Sequence, residues 1–264
     1  MKLFYRHFGE GKPVVILHGI LGISDNWVTI GRRLAEKFSV FIPDQRNHGQ
    51  SPHSDTFSYY ALTDDLFEFM EDHELADPVL IGHSMGGKVA MNFALQHPHR
   101  VAKLVVVDIS VLNYTSRQQH LDIMDAMLSV DFDAVSSRED VEMIIGEKMV
   151  SRKLSAFILK NLYRTGKNRF GWRLNIKSIY QNIENVFDGV ELPYSSNVPA
   201  LFIRGGDSDY IPDDDFPAIL EKFPGAVFRT IPNASHWVHA DKPDELCSLL
   251  SNFLEKKCAF NSQS

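Results

Sequence analysis

Residues 79 to 90 read Val-Leu-Ile-Gly-His-Ser-Met-Gly-Gly-Lys-Val-Ala, and no other stretch restricts the fold of this chain so tightly. The apolar run ending at Gly82 predicts a buried strand. Gly86 and Gly87 open an apolar helix carrying Val89, Ala90, Phe93 and Ala94, which stops near His97-Pro98. Between strand and helix the chain must turn within a few residues, with Ser84 flanked by Gly82 and Gly86. A side chain on either flank would strike the strand or the helix, so glycine is required there. Strand, sharp turn and helix form the setting of a nucleophile elbow. Ser84 is then exposed at the top of a sheet, with the backbone N–H of Met85 beside it at the helix N-terminus. A bare G-x-S-x-G string also marks a small residue in a tight turn, and it is the flanking elements that favour the reactive reading.

The segments around the elbow supply that sheet. Residues 3 to 8 alternate like an edge strand, and Val14 to Leu17 reads as a short buried strand running into the loop His18-Gly19-Ile20-Leu21-Gly22. Trp27, Ile30, Leu34 and Phe38 have helical spacing. Ser39 to Pro43 is another apolar run, delivered to Asp44-Gln45-Arg46-Asn47-His48-Gly49-Gln50-Ser51. From Tyr59 to His73, Leu62, Leu66, Phe69 and Met70 share one helical face. Lys103 to Asp108 is a strand ending in a carboxylate. Further strands are expected at Pro199 to Arg204 and Ala226 to Ile231, then a helix from Pro243 to Lys256. Strands alternating with helices predict an α/β fold: a mostly parallel central sheet flanked by helices.

Between about Ile109 and Val198 the pattern changes to four helical segments with no convincing strand. Ser116 with Gln119 and Ser136 with Glu139 have capping-box spacing. Leu121, Met124 and Leu128 give the first segment an apolar stripe. Leu154, Phe157, Ile158 and Leu162 mark the third, and Ile176, Ile179, Ile183 and Phe187 the fourth. The expected organisation is a core of residues 1–110 and 199–264 with a helical cap, residues 111–198, inserted where a lid would sit. Phe260 to Ser264 are expected to fray.

A chain of 264 residues with 44% hydrophobic content can bury a sizeable core. Its net charge of −7 argues against nonspecific binding to nucleic acid or anionic membrane. No apolar run approaches the ~20 residues needed to span a bilayer, and the start lacks the pattern of a signal peptide. Cys247 and Cys258, if both on the last helix, stand about 16 Å apart along its axis, too far for a disulfide. A cytoplasmic setting is the simplest expectation.

A serine hydroxyl needs an adjacent base, and the base needs a third group to hold its tautomer. The chain offers Ser84 after one strand, carboxylates after two later strands, and His236 just after the last. His236 as a capping or surface histidine is the bland alternative. His239 is expected to pack near the site rather than replace it. Asp108, Asp207 and Asp209 are all candidates for the acid, and Asp is favoured in Gly-rich turns for structural reasons as well. No metal-ligand spacing such as H-E-x-x-H is present, and neither metal nor organic cofactor is expected.

Four motifs in order, His18-Gly19, Asp44-x-Arg46-x-His48-Gly49-x-Ser51, Gly82-His83-Ser84-Met85-Gly86-Gly87 and Ser235-His236-Trp237, resemble the α/β-hydrolase superfamily over nearly the whole chain. With Gly205-Gly206-x-Ser208-x-Tyr210 and His236-Trp237-Val238-His239-Ala240, the chain most resembles the YbfF-like bacterial esterases. The resemblance implies a catalytic group of Ser84, Asp108 and His236, with Asp108 preferred over Asp209. It also implies an oxyanion hole from the backbone N–H groups of Ile20 and Met85. Asp44, Arg46 and His48 resemble a second catalytic group but are read as structural, with Arg46 and Asp44 fixing loops beneath the site.

From Lys148 to Lys177 there are nine Lys or Arg and no Asp or Glu. A solvated helix face accounts for this; steering of an anionic substrate such as an acyl-CoA thioester is the sharper reading, through Arg152, Lys153, Arg164, Lys167 and Arg169. Met124, Met127, Phe157 and Trp172 are expected mostly in packing, with some lining an acyl pocket. The expected activity is hydrolysis of small-molecule carboxylic esters or thioesters of short to medium acyl chains, by a monomer or small homo-oligomer. The alternatives are a ligand-binding protein without turnover, or another chemistry on the same fold such as C–C bond hydrolysis.

Overall fold

The computed structural model describes residues 1–113, 117–149, 151–167 and 169–256. Its central sheet has seven strands: β1 (Tyr5–Phe8), β2 (Lys12–Leu17), β3 (Phe38–Pro43), β4 (Val79–His83), β5 (Lys103–Val107), β8 (Ala200–Gly205) and β9 (Val227–Ile231). They lie in the order β1-β3-β2-β4-β5-β8-β9, with β1 antiparallel to β3 and every other pairing parallel. Every residue of β4 and β5 is buried, as a strand covered on both faces requires.

Alternation along the strands sorts the two faces. Val14 and Ile16 join Val40, Ile81 and Val105 under helices α1 (Val28–Leu34) and α11 (Pro243–Glu255). Val15 and Leu17 join Leu80, Leu104 and Val106 under α2 (Tyr59–Asp72) and α3 (Met85–Gln96). The strand order reverses at β2 and β4, since β3 lies to one side of β2 and β4 to the other. The loop after β2 and the turn after β4 therefore flank one crevice at the carboxyl edge of the sheet, where ligands of open α/β sheets bind.

Between β5 and β8 the chain forms α4 (Arg117–Leu128), α5 (Arg138–Lys148), α6 (Arg152–Ile158), a hairpin of β6 (Leu162–Gly166) and β7 (Arg169–Trp172), α7 (Ile176–Gln181) and α8 (Glu184–Phe187). The hairpin corrects the all-helical expectation for this region. Leu162 is buried at the start of β6, opposite Trp172, and so continued the apolar stripe of α6 by coincidence of spacing. The fourth expected helix is two, broken at Asn182, whose side chain turns to donate to Asp55 O. The capping box sits one residue later than expected: Ser137 caps the Asp140 N–H and Asp140 accepts from the Ser137 N–H. Two short helices that the spacing did not suggest, α9 (Phe216–Lys222) and α10 (Val238–Asp241), complete the chain. Ser116, Cys258 and Phe260 to Ser264 lie outside the described residues.

The two connections of this inserted region run side by side. Val190 N donates to Val111 O (2.7 Å) and Gly189 N to Asn113 Oδ1 (2.6 Å). The fully buried Lys88 on α3 donates to Leu112 O (2.7 Å) and to Asp188 O (2.5 Å), clasping both connections to the elbow helix. Further on, Asn175 N donates to Asn47 O and Ser178 Oγ to Ser54 O, which seats α7 on the loop after β3. Among the described residues, no helix is long and apolar enough to cross a membrane.

Candidate active site

Ser84 follows β4 directly and has φ 51° and ψ −122°, a conformation that a side-chain-bearing residue rarely adopts. Such a residue costs on the order of 1–3 kcal/mol, and the surroundings hold it there. A Cβ on Gly82 would come within 2.2 Å of Gly86 O, and one on Gly86 within 2.4 Å of Leu17 O. The turn can close only with glycine on both flanks. The Ser84 N–H donates to Val107 O (3.0 Å), tying the elbow to the neighbouring strand.

Asp108 ends β5 as Ser84 ends β4, one step beyond the His83–Val107 pair of the ladder, and it too has positive φ (54°). Its carboxylate is fully buried. Oδ1 accepts from Gly205 N (2.8 Å); Oδ2 accepts from Ser208 Oγ (2.5 Å) and from His236 Nδ1 (2.8 Å). Among the described residues no hydrogen bond joins Asp207 or Asp209 to His236. Asp207 N is spent on Ala234 O, and Asp209 lines a separate surface hollow beside Tyr210 and Pro212.

His236 sits in the loop after β9, stacked flat on Tyr210 with ring centroids 3.8 Å apart, and its carbonyl accepts from His83 Nε2 (2.9 Å). Burial first, and then the neighbouring His120, push its pKa down to about 3, so the ring is neutral at pH 7. Burial drives the Asp108 carboxyl up to about 6 against the bonds from Ser208 and Gly205, which leaves it ionised at pH 7. A neutral imidazole whose Nδ1–H is committed to a carboxylate presents Nε2 as the free base.

The loop after β2 is held from beneath. His18 Nδ1 donates to Gly19 O and its Nε2 accepts from Gln45 N; Gln45 Nε2 donates to His18 O. His48 Nδ1 donates to Arg46 O and its Nε2 accepts from Leu21 N. Asn161, from the inserted region, donates to Leu21 O. These bonds take the N–H of Leu21 and leave that of Ile20 without a described partner. Met85 is the first residue of α3, where an N–H has no intrahelical acceptor. Beneath the loop, Asp44 accepts from Ser24 N and Gln50 N, and Arg46 makes a two-pronged bond to Asp65. Asp44 and Arg46 thus hold loops as expected, and His48 holds one as well.

Ser84 and His236 line one pocket, walled by Ile20, Leu21, Ile123, Leu154, Phe157 and Trp237. Of the residues considered for an acyl pocket, only Phe157 lines it. Met124 and Met127 are fully buried in the core, and Trp172 donates its indole N–H to Met127 O. Of the five basic residues considered for steering, Lys153 lines a cavity beside the serine pocket, and Arg164, Lys167 and Arg169 are exposed on the hairpin. His239 stacks on Trp27 (4.6 Å) beside His83. The sequence reading passed over Ser208, Tyr210 and His120. Ser208 and Tyr210 stood in the quoted Gly-Gly-x-Ser-x-Tyr motif, whereas His120 had no local signal at all.

The model of the family described as alpha/beta hydrolase fold matches residues 12–243. The chain belongs to that family. Among α/β-hydrolases, it is 38% identical over 253 residues to the sn-1-specific diacylglycerol lipase ABHD11 of Danio rerio, covering 94% of this chain and 80% of that protein. It is 31% identical over 245 residues to esterase YbfF of Escherichia coli, covering 93% and 94%. A solved α/β-hydrolase, a marine microorganism esterase, superposes with a TM-score of 0.93 at 41% identity, covering 96% of this chain and 99% of that one.

Proposed function

We propose that this α/β-hydrolase cleaves carboxylic esters through an acyl-enzyme on Ser84. The observation that carries the reading is the convergence of three strand ends: a strained, glycine-flanked Ser84, a neutral His236 in the same pocket, and a buried Asp108 on His236 Nδ1. In this reading His236 Nε2 takes the Ser84 proton as Oγ attacks the acyl carbon. Asp108 accepts the Nδ1–H and stabilises the imidazolium that forms. The Ile20 and Met85 N–H groups receive the oxyanion, which collapses as the C–O bond breaks and His236 returns the proton to the departing alcohol. Water then repeats the sequence and frees the acid and Ser84.

The inserted region, residues 111–198, acts as a cap. It contributes His120, Ile123, Leu154 and Phe157 to the pocket wall, and these apolar side chains suit acyl chains of short to medium length. The similarity to named esterases and a lipase supports ester chemistry. Thioesters react through the same steps and belong to the same proposal. A panel of p-nitrophenyl esters and acyl thioesters, assayed with wild type and Ser84→Ala, tests it. Turnover that peaks at short to medium chains and disappears in Ser84→Ala is expected. Tight ligand binding without turnover in wild type would reject it.

A further inference from the structure

A second chamber of about 230 Å³ adjoins the serine pocket. Leu154, Phe157, Trp237 and His239 line both spaces, and Lys153 and Lys160 line only the outer one. His239, like Asn26, is among the walls the two spaces share. It is 8% exposed, and its Nδ1 has no hydrogen-bond partner; nor has the buried Nε1 of Trp27, the ring on which it stacks. Buried polar atoms are rarely left unpaired. Of the two residues only His239 lines the outer chamber, Trp27 lining the serine pocket, and an unpaired ring nitrogen on a residue of the chamber wall marks that wall as a place where a ligand group is to bond.

The two lysines differ. Lys153 is paired with Asp241, which also accepts from Ser235. Lys160 lines the chamber with an exposed side chain that makes no hydrogen bond or ion pair among the described residues, and the next residue, Asn161, is anchored by its bond to Leu21 O. The direction of the chamber follows from the chemistry. His236 must return a proton to the leaving group, which therefore lies on its side of Ser84. Trp237 and His239, the continuation of the same segment, wall the outer chamber.

We propose that this chamber binds an anionic group, a carboxylate or a phosphate, carried on the alcohol or thiol half of the substrate, with Lys160 and His239 as its partners. The proposal rests on the ester-cleaving reading for its orientation, and its test separates the two. Binding is read without turnover, from the His239 ring resonances, in titrations with 4-hydroxybenzoate, phenyl phosphate and the neutral 4-hydroxyacetophenone. Saturable shifts with at least one anion are expected, with a Kd at least fivefold weaker in Lys160→Met, and the affected anion names the group. The absence of saturable shifts, or an equal Kd in Lys160→Met, overturns the proposal. Turnover is then compared for two acetate esters, 4-acetoxybenzoate and the neutral 4-acetoxyacetophenone. A kcat/KM ratio favouring the anion in wild type and falling at least threefold in Lys160→Met supports the site. Anion binding with neither ester cleaved would reject the hydrolase reading and leave the anion site standing. Cleavage of both esters without anion binding would reject the anion site alone.

Discussion

His236 Nδ1 donates to Asp108 Oδ2 across 2.8 Å, between residues 128 apart in the chain. The same carboxylate accepts from Ser208 and from the Gly205 N–H at the end of β8, so the end of β8 holds the Asp108 carboxylate in place. Asp108→Asn removes the acceptor that sets the imidazole tautomer. It is expected to lower kcat by about 10⁴-fold, the loss typical of such a change, with the fold intact. Asp209→Asn is expected to stay within a fewfold of wild type. Steady-state kinetics on one p-nitrophenyl ester, with circular dichroism as the folding control, decides between them.

The acidic limb of the pH–rate profile follows from the same pair. In the proposed mechanism activity needs His236 neutral and Asp108 ionised, and the first proton taken up by the pair ends it. Burial holds His236 near 3 and places Asp108 near 6. As pH falls, kcat/KM should therefore decline with an apparent midpoint at or below about 6, as read from those two values. A midpoint above 6.5 would mean that the imidazole is not desolvated as described.

Stability should also fall in acid, for a separate reason. His18, His48, His83 and His239 are buried and neutral, each held below the ordinary 6.5 chiefly by burial, His18 near 4 and His48 and His83 near 3. The unfolded chain binds these protons below pH 6.5 and the folded chain does not, so unfolding becomes more favourable as pH drops. The slope approaches about 1.4 kcal/mol per pH unit for each histidine. Urea unfolding at pH 7.5 and pH 5.5 measures it. Equal stabilities would contradict the buried, neutral assignment.

Much of this was legible in the sequence because the sheet and the elbow obey short-range rules. Gly82 and Gly86 are demanded by backbone contacts, and buried strands such as Lys103–Val107 announce themselves as apolar runs. The choice among Asp108, Asp207 and Asp209 was not decided by local pattern, because it depends on which of two adjacent strand ends the loop after β9 reaches. The β6–β7 hairpin was hidden for another reason. Leu162 satisfies both a helical stripe and a strand register, and only tertiary pairing with Trp172 separates the two. His120 reaches the pocket from α4 through the packing of the inserted region, which no spacing within α4 encodes.

Lys88 offers a test of how that region is fastened. Its ammonium clasps Leu112 O and Asp188 O, and burial lowers its pKa to about 7. Lys88→Met removes both bonds and leaves two carbonyls to find water. It is expected to cost roughly 2 kcal/mol, in the range for hydrogen bonds to a charged group. Limited proteolysis should then cut within residues 111–198 before the core. Unchanged unfolding and cleavage patterns would show that the clasp contributes nothing.

The most direct measurement is covalent labelling with a fluorophosphonate, followed by peptide mass mapping. The expected result is rapid, stoichiometric phosphonylation of Ser84 in wild type, none in Ser84→Ala, and labelling slowed by several orders of magnitude in His236→Ala. A protein that is folded but unlabelled, or labelled at another residue with Ser84 untouched, would contradict the assignment of Ser84 as the nucleophile.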